Sequence, residues 1–253
     1  MSELNHARFI GFRLRQCVER FFMTLRSSGN VAASAYAAGV LVSVCRWYDP
    51  RRMAIRQKRS ASDLLWGTDT SGMIQAPAMH ESGSSALCSN YYKAADPQLF
   101  GAMMNSLDVD FSQYSLVDYG TGKGLIVLLA SEYPLRTIFG VELSRKLHAI
   151  DRANLSKYKS TSQKCRGIEL LCADATTHEL PPGPVIVFLY DPITNEKLFQ
   201  RLVDNIARSL KDAPRDAFIL YAHPTFRTCV EGTGLFVTYG SHGDSVIFRG
   251  RQH

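Results

Sequence analysis

The run Leu116-Val-Asp118-Tyr-Gly120-Thr-Gly122-Lys-Gly124 decides how this 253-residue chain is read. An apolar strand pattern, Ser115–Tyr119, runs into glycines at alternate positions, and a helical pattern, Gly124–Tyr133, opens directly behind them. Glycine lets a backbone approach a ligand with no Cβ in the way. The start of the helix offers unpaired N–H groups and the positive end of its dipole to an anion. Glu142 closes the next strand pattern, Thr137–Glu142, 22 residues after Gly120. A carboxylate at that place can accept both hydroxyl protons of a ribose. A nicotinamide-dinucleotide fingerprint would need glycine at 125, where Leu125 stands, so D-x-G-x-G-x-G is a different pattern. The bland alternative is a turn that only joins strand to helix.

Outward from this stretch, strand and helix patterns alternate. Ser144–Tyr158 reads as a helix, Ile168–Ala173 and the very apolar Val185–Tyr190 as strands, Asn195–Leu210 as a helix and Ala217–Ala222 as a strand. A closing pair, Leu235–Tyr239 and Ser245–Phe248, is joined by Gly240-Ser-His-Gly-Asp244. Upstream, Pro97–Leu107 reads as a short helix after a polar stretch, and Gly67-Thr-Asp-Thr-Ser-Gly72 as turn chemistry. Apolar strands alternating with amphipathic helices predict an α/β fold with a mostly parallel sheet covered on both faces. The final hairpin predicts one antiparallel strand.

Composition is that of a globular protein, 45% hydrophobic and 21% charged, which excludes a disordered or collagen-like chain. Six scattered cysteines show no CxxC pair and no metal-ligand rhythm, and fit a reducing cytoplasm. The apolar stretch Ser27–Cys45 is built mainly of Ala, Ser and Gly and makes a poor membrane span. The net charge of +6 is concentrated: residues 1–60 hold 11 Lys and Arg against 3 Asp and Glu. Within them Ile10, Leu14, Cys17, Val18, Phe21 and Leu25 recur at helical spacing. That face fits packing on the protein itself or on a second copy. Peripheral contact with anionic lipid through residues 1–30, or an RNA-facing or targeting segment, are its other readings. Pro50, Arg51, Arg52 and Arg56–Ser62 read as a linker, so residues 1–64 form a basic helical extension and 65–253 the main domain.

Val117–Gly124 followed by Gly140-Val-Glu142-Leu143 resembles the cofactor motifs of class I S-adenosylmethionine-dependent methyltransferases, a seven-strand Rossmann-like family. The resemblance covers roughly residues 65–250 and is nearest to a bacterial group of undefined substrate. That group shares segments like Gly67–Gly72 and Val187-Phe-Leu-Tyr190. It implies a Rossmann-like three-layer sandwich and S-adenosyl-L-methionine as cofactor. Asp118 and the loop of Gly120, Thr121, Gly122 and Gly124 would then hold the methionyl end, the loop amides taking its carboxylate and Asp118 its ammonium. Glu142 would bind the ribose and Leu143 line the adenine. Asp174 would accept the adenine amino proton beside the Ala175 amide, unless it only caps a helix. Tyr91 and Tyr92 stand where relatives cover the cofactor, and their faces suit the sulfonium. Core packing is the equal alternative for these two tyrosines.

The acceptor side rests on Tyr190-Asp191-Pro192-Ile193. Amino-methylating relatives carry Asn/Asp-Pro-Pro-aromatic here, and this chain keeps only Asp191-Pro192. The missing aromatic disfavours a stacked DNA base, and a charged Asp191 could hold a lysine-like amine or take its proton. Asp191-Pro192 as a plain strand-ending turn is the alternative, and His223 is a second candidate acid or base. The reading is a cytoplasmic methyltransferase for an unidentified acceptor, an amine of a protein or small molecule. A non-catalytic cofactor binder and an RNA methyltransferase using the basic extension are the competing classes.

Overall fold

The computed structural model describes residues 60–74 and 92–251, with Ser34 alone before them. The amphipathic extension, its lipid contact and Tyr91 lie outside the described residues. The chain divides into two compact units, Met1–Lys58 and Arg59–His253, and the second holds every described residue except Ser34. No helix among the described residues is long and apolar enough to cross a membrane.

Where the sequence predicts a linker, helix α1 (Ala61–Trp66) begins. Ser60 caps it by accepting the Asp63 N–H at 3.1 Å, the S-x-x-D arrangement that satisfies an otherwise orphaned first-turn donor. A two-residue antiparallel ladder then pairs β1 (Met73–Ile74) with β2 (Tyr92–Lys93). Helix α2 (Pro97–Asn105) has Asp96 as cap and proline in its first turn, where a missing N–H is harmless.

The main domain continues as β3 (Ser115–Tyr119), α3 (Leu125–Ala130), β4 (Thr137–Glu142), α4 (Arg145–Lys157), β5 (Ile168–Cys172) and β6 (Val185–Tyr190). It ends with α5 (Glu196–Asp212), β7 (Ala217–Ala222), α6 (Arg227–Glu231), β8 (Phe236–His242) and β9 (Ser245–Gly250). The seven-stranded sheet has the order β5-β4-β3-β6-β7-β9-β8. Strands β3 to β7 pair in parallel, and β9 runs antiparallel to both its neighbours. Helix α3 stops three residues earlier than its apolar pattern: the Ser131 hydroxyl turns back to Leu128 O at 2.6 Å, and Pro134 has no N–H with which to continue. The hairpin is also tighter than its glycines suggest, β8 running on to His242 so that Gly243-Asp244 alone turns the chain.

Both faces of the sheet are apolar because its central strands are. In β6, Val185, Val187 and Leu189 belong to one core and Ile186 and Phe188 to the other, each 1% exposed or less. The first core receives Phe199, Leu202, Val203 and Ile206, one helical stripe of α5. The second receives Phe100, Met103 and Met104 of α2 with Ile126 and Val127 of α3. Full burial of such a side chain stabilises by roughly 1.5–3 kcal/mol. With both faces covered, the carboxyl ends of β3, β4, β5 and β6 are left to build a site. The chain leaves β3 for β4 and β5, then returns to place β6 on its other side, and ligands of open α/β sheets bind at such a reversal.

Candidate functional site

The turn after β3 is held in a conformation that favours glycine: Gly120, Gly122 and Gly124 have φ of 81°, 59° and 87°. Two of them also make room. A Cβ on Gly122 would lie 2.2 Å from Tyr92 Cε2, and one on Gly120 would lie 3.0 Å from Pro192 Cβ. The turn is thereby pressed against Tyr92 and against the residues just after β6.

The loop amides expected to receive a carboxylate have acceptors within the chain. Gly120 N–H and Thr121 N–H donate to Val141 O at 2.8 and 3.3 Å, and Gly124 N–H to Thr121 O at 2.9 Å. Gly122 N–H donates to Glu142 Oε2 at 2.9 Å. The reason is proximity to β4: a buried amide must be paired, and Val141 and Glu142 lie within reach. Glu142 Oε1 accepts the Ser144 N–H at 2.7 Å, so Glu142 clasps the loop as well as facing the cleft. Burial pushes its pKa up against the pull of these N–H bonds.

Asp118 is 2% exposed, and its Oδ2 has no hydrogen-bond partner. Burial, then the charges of Asp151 and Glu142, hold it well above the usual carboxylate range. Asp151, behind the loop, accepts the Thr121 hydroxyl at 2.9 Å through Oδ2, while its Oδ1 is unpartnered. Its pKa is raised to about 7, chiefly by burial. Carboxylates crowded out of water resist ionisation until a cation joins them. The orphaned Asp118 oxygen therefore suits a cationic partner.

Sequence reading missed how Gly67–Gly72 joins this site. Asp63 accepts the Thr68 hydroxyl at 2.7 Å, the Thr70 N–H and hydroxyl at 2.7 and 2.8 Å, and the Ser71 N–H at 2.8 Å. The Ser71 hydroxyl also donates to it. Burial alone would raise the Asp63 pKa, but the bonds from Ser71, Thr70 and Thr68 outweigh it and hold the group below its ordinary value. Asp69 then docks on the core. Its N–H donates to Asn154 Oδ1 at 2.8 Å, and Asn154 Nδ2 donates to Asp69 O and Lys123 O at 3.0 and 2.8 Å. Lys123 Nζ bonds Asp69 Oδ1 and Ser71 O, both at 2.8 Å. The Tyr92 hydroxyl donates to Thr70 O. A usable signal was present: Asp63 is closely followed by the hydroxyl residues Thr68, Thr70 and Ser71.

Beside the loop lies one cleft of about 320 Å3, a volume within the roughly 300–1,000 Å3 of small-molecule sites. Tyr92, Asp118, Gly120, Thr121, Gly122 and Glu142 line it on the loop side. Leu143, Asp174 and Ala175 line it from the ends of β4 and β5, and Tyr190 and Asp191 from the end of β6. Leu143 is 42% exposed, an apolar surface suited to a flat base. Asp174 Oδ1 accepts the Thr176 N–H at 2.8 Å, making the local turn as well as facing the cleft. Gly124 stands off the lining, as the residue that caps α3 above Asp151.

Among the described residues only Asp191 and His223 have positive φ without being glycine, 42° and 50°. They come directly after β6 and β7, which are neighbours in the sheet, and both line the cleft. Such conformations persist only where the surroundings enforce them, and they gather at functional sites. Asp191 Oδ1 is buried without a partner. Burial raises its pKa, while a Thr225 hydrogen bond and His223 pull it down. His223 Nδ1 lies 2.6 Å from Asp244 Oδ2, and its ring meets Tyr190 edge-on at 5.5 Å.

No protein-family model matches the chain, and no curated protein matches it. Solved structures do. One is a predicted N6-adenine-specific DNA methylase from Listeria monocytogenes, 11% identical over 68% of this chain and 53% of that one, TM-score 0.48. A protein from Pyrococcus horikoshii is 14% identical over 60% of this chain and 88% of its own, TM-score 0.46. A 23S rRNA methyltransferase is 20% identical over 63% and 69%, TM-score 0.41. Independently of these likenesses, the strand order β5-β4-β3-β6-β7-β9-β8, the single reversed strand and the glycine turn after β3 define the architecture. The main domain has the fold of the class I S-adenosylmethionine-dependent methyltransferases.

Proposed function

We propose that the chain is an S-adenosylmethionine-dependent methyltransferase whose acceptor is an amine nitrogen. One observation carries this reading: a single cleft holds two orphaned, buried carboxylate oxygens, Asp118 Oδ2 on β3 and Asp191 Oδ1 just after its neighbour β6. Asp118 would take the cofactor's ammonium. Glu142 would take the ribose hydroxyls with the lone pairs that Gly122 and Ser144 leave open, since a carboxylate offers about four. Leu143, Asp174 and Ala175 would take the adenine. When bound, the cofactor supplies a methyl carbon activated by positive sulfur. The chain's part is to exclude water, hold the acceptor N–H at Asp191 and so fix the direction of the nitrogen lone pair. Thr194 stands where base-methylating relatives carry an aromatic, which supports an acceptor that does not stack.

The test is transfer from methyl-labelled S-adenosylmethionine to the protein, RNA and small-molecule fractions of a cell extract. Label on nitrogen in the protein or small-molecule fraction is the expected result. Label confined to RNA, or no label in any fraction, would overturn the proposal.

A further inference from the structure

At neutral pH an aliphatic amine arrives as an ammonium ion, its pKa being about 10.4. An ammonium ion has no lone pair to attack with. A site for amine methylation therefore needs a group that removes one proton first, and the cleft offers two candidates. Asp191 is suited to hold an N–H, with one oxygen buried and unpartnered. The other candidate is His223, whose Nδ1 lies 2.6 Å from Asp244 Oδ2.

That contact fixes the imidazole. Asp244 is held below the ordinary carboxylate range, chiefly by its hydrogen bond to His223, so it is ionised and can only accept. The proton between the two residues therefore sits on Nδ1, so that in the neutral imidazole Nε2 is the nitrogen that carries the lone pair. The backbone supports the placement: His223 N–H donates to Ser245 Oγ at 3.3 Å, and Ser245 Oγ donates to Asp244 Oδ1 at 3.3 Å. The ring stands edge-on to Tyr190, and Lys93 Nζ lies 5.8 Å from the centre of that same tyrosine ring. The charged and titratable groups around His223 are thus Asp244, Asp191, Tyr190 and, across the tyrosine, Lys93. The His223 side chain is 46% exposed and that of Asp244 66%, so a proton taken here can pass on to water.

We infer that His223, oriented by Asp244, is the general base that deprotonates an ammonium acceptor held by Asp191. This role rests on the chain being a methyltransferase for amines. The proton moves from the acceptor nitrogen to His223 Nε2 and the N–H bonding pair stays on nitrogen as its lone pair. That pair would form the N–C bond as the methyl–sulfur bond breaks, its electron pair going to sulfur and S-adenosylhomocysteine being the leaving group. The imidazolium so formed lies against the Asp244 carboxylate, which stabilises it, and returns its proton to solvent.

Two readouts on the full chain test this. Long-range proton–nitrogen NMR of the imidazoles, with His223 assigned by its loss in His223→Asn, should show neutral His223 protonated on Nδ1. Asparagine is chosen because it tolerates a positive φ better than other residues without a base. The second readout is methyl transfer to the same cell extract at pH 7 and pH 10. His223→Asn should be at least tenfold slower than the parent at pH 7, with the deficit shrinking towards pH 10 as water deprotonates the amine. Asp244→Asn should fall between them. Calorimetry should find S-adenosylmethionine affinity unchanged in both variants. An Nε2-protonated His223, a His223→Asn profile that tracks the parent's, or no label on nitrogen from a protein that binds the cofactor would overturn the inference. Failure of the parent chain to bind the cofactor would instead sink the methyltransferase reading itself.

Discussion

Replacing Glu142 by Ala removes the acceptor from two amides at once, Gly122 N–H and Ser144 N–H, both in buried hydrogen bonds. Each unsatisfied donor costs about 1–3 kcal/mol, less where water can enter. A cleft-lining position admits some water, so Glu142→Ala should lower stability by about 2 kcal/mol in urea unfolding and weaken cofactor binding as well. Glu142→Gln keeps one acceptor oxygen but turns an NH2 towards the other N–H, and should fall between the two. An unfolding midpoint for Glu142→Ala equal to the parent's would show that the clasp contributes nothing. Asp151 gives a prediction in pH. Its folded pKa, about 7, lies above its ordinary value of 3.8. Its contribution to stability is therefore fully present below about pH 4 and is lost as pH rises through 7. Asp151→Asn has no such proton to lose. Between pH 5 and 8 the parent, without ligand, should lose about 2 kcal/mol relative to this variant, read from paired denaturation curves. Parallel curves would contradict the buried, ionisable state assigned to Asp151.

The elements around the glycine turn act together because they touch through side chains rather than through the sheet. A Cβ on Gly122 would sit inside the Tyr92 ring's contact distance, so Gly122→Ala should push Tyr92 off the loop and abolish cofactor binding. The double variant Tyr92→Ala, Gly122→Ala should unfold later than Gly122→Ala alone, because the clash is gone while only the positive φ remains strained. Additive losses in that double-mutant cycle would mean the two residues do not meet. Most of the elements were legible in sequence. The strands β6 and β7 are continuous apolar runs, and Ser144 and Asn195 stand as caps where α4 and α5 start. The docking of Asp69 on Asn154 was not legible, since it joins residues 85 positions apart through one amide and one carbonyl. No local periodicity records such a contact. The same holds for His223 and Asp244, separated by 21 residues and brought together by the antiparallel pairing of β7 with β9. Gly67–Ser71 read correctly as turn chemistry, yet its partner, Asp63, belongs to a helix that the polar composition of the segment concealed.

At the scale of the whole domain, the sheet does one thing for function: it brings the ends of β3, β4, β5 and β6 to one cleft and leaves carboxylates there without enough partners. The alternation of strands with helices and the glycine turn were open to sequence reading because each is written in consecutive residues, whereas the strand order is set by pairings between distant segments. The charge state of the cleft was not, because it depends on how Asp118, Glu142 and Asp151 crowd one another after folding. That crowding predicts a preference for a cationic ligand. Binding of S-adenosylmethionine should draw the three carboxylates towards their ionised forms and release protons, making the apparent binding enthalpy depend on the buffer's own ionisation enthalpy. The direct test of the central claim is titration calorimetry of the full chain against S-adenosylmethionine, S-adenosylhomocysteine and NAD. One site per chain is predicted for the first two, at micromolar strength or about −8 kcal/mol, and no binding of NAD. Tighter binding of NAD than of either methyl-cycle ligand would contradict the assignment of this cleft.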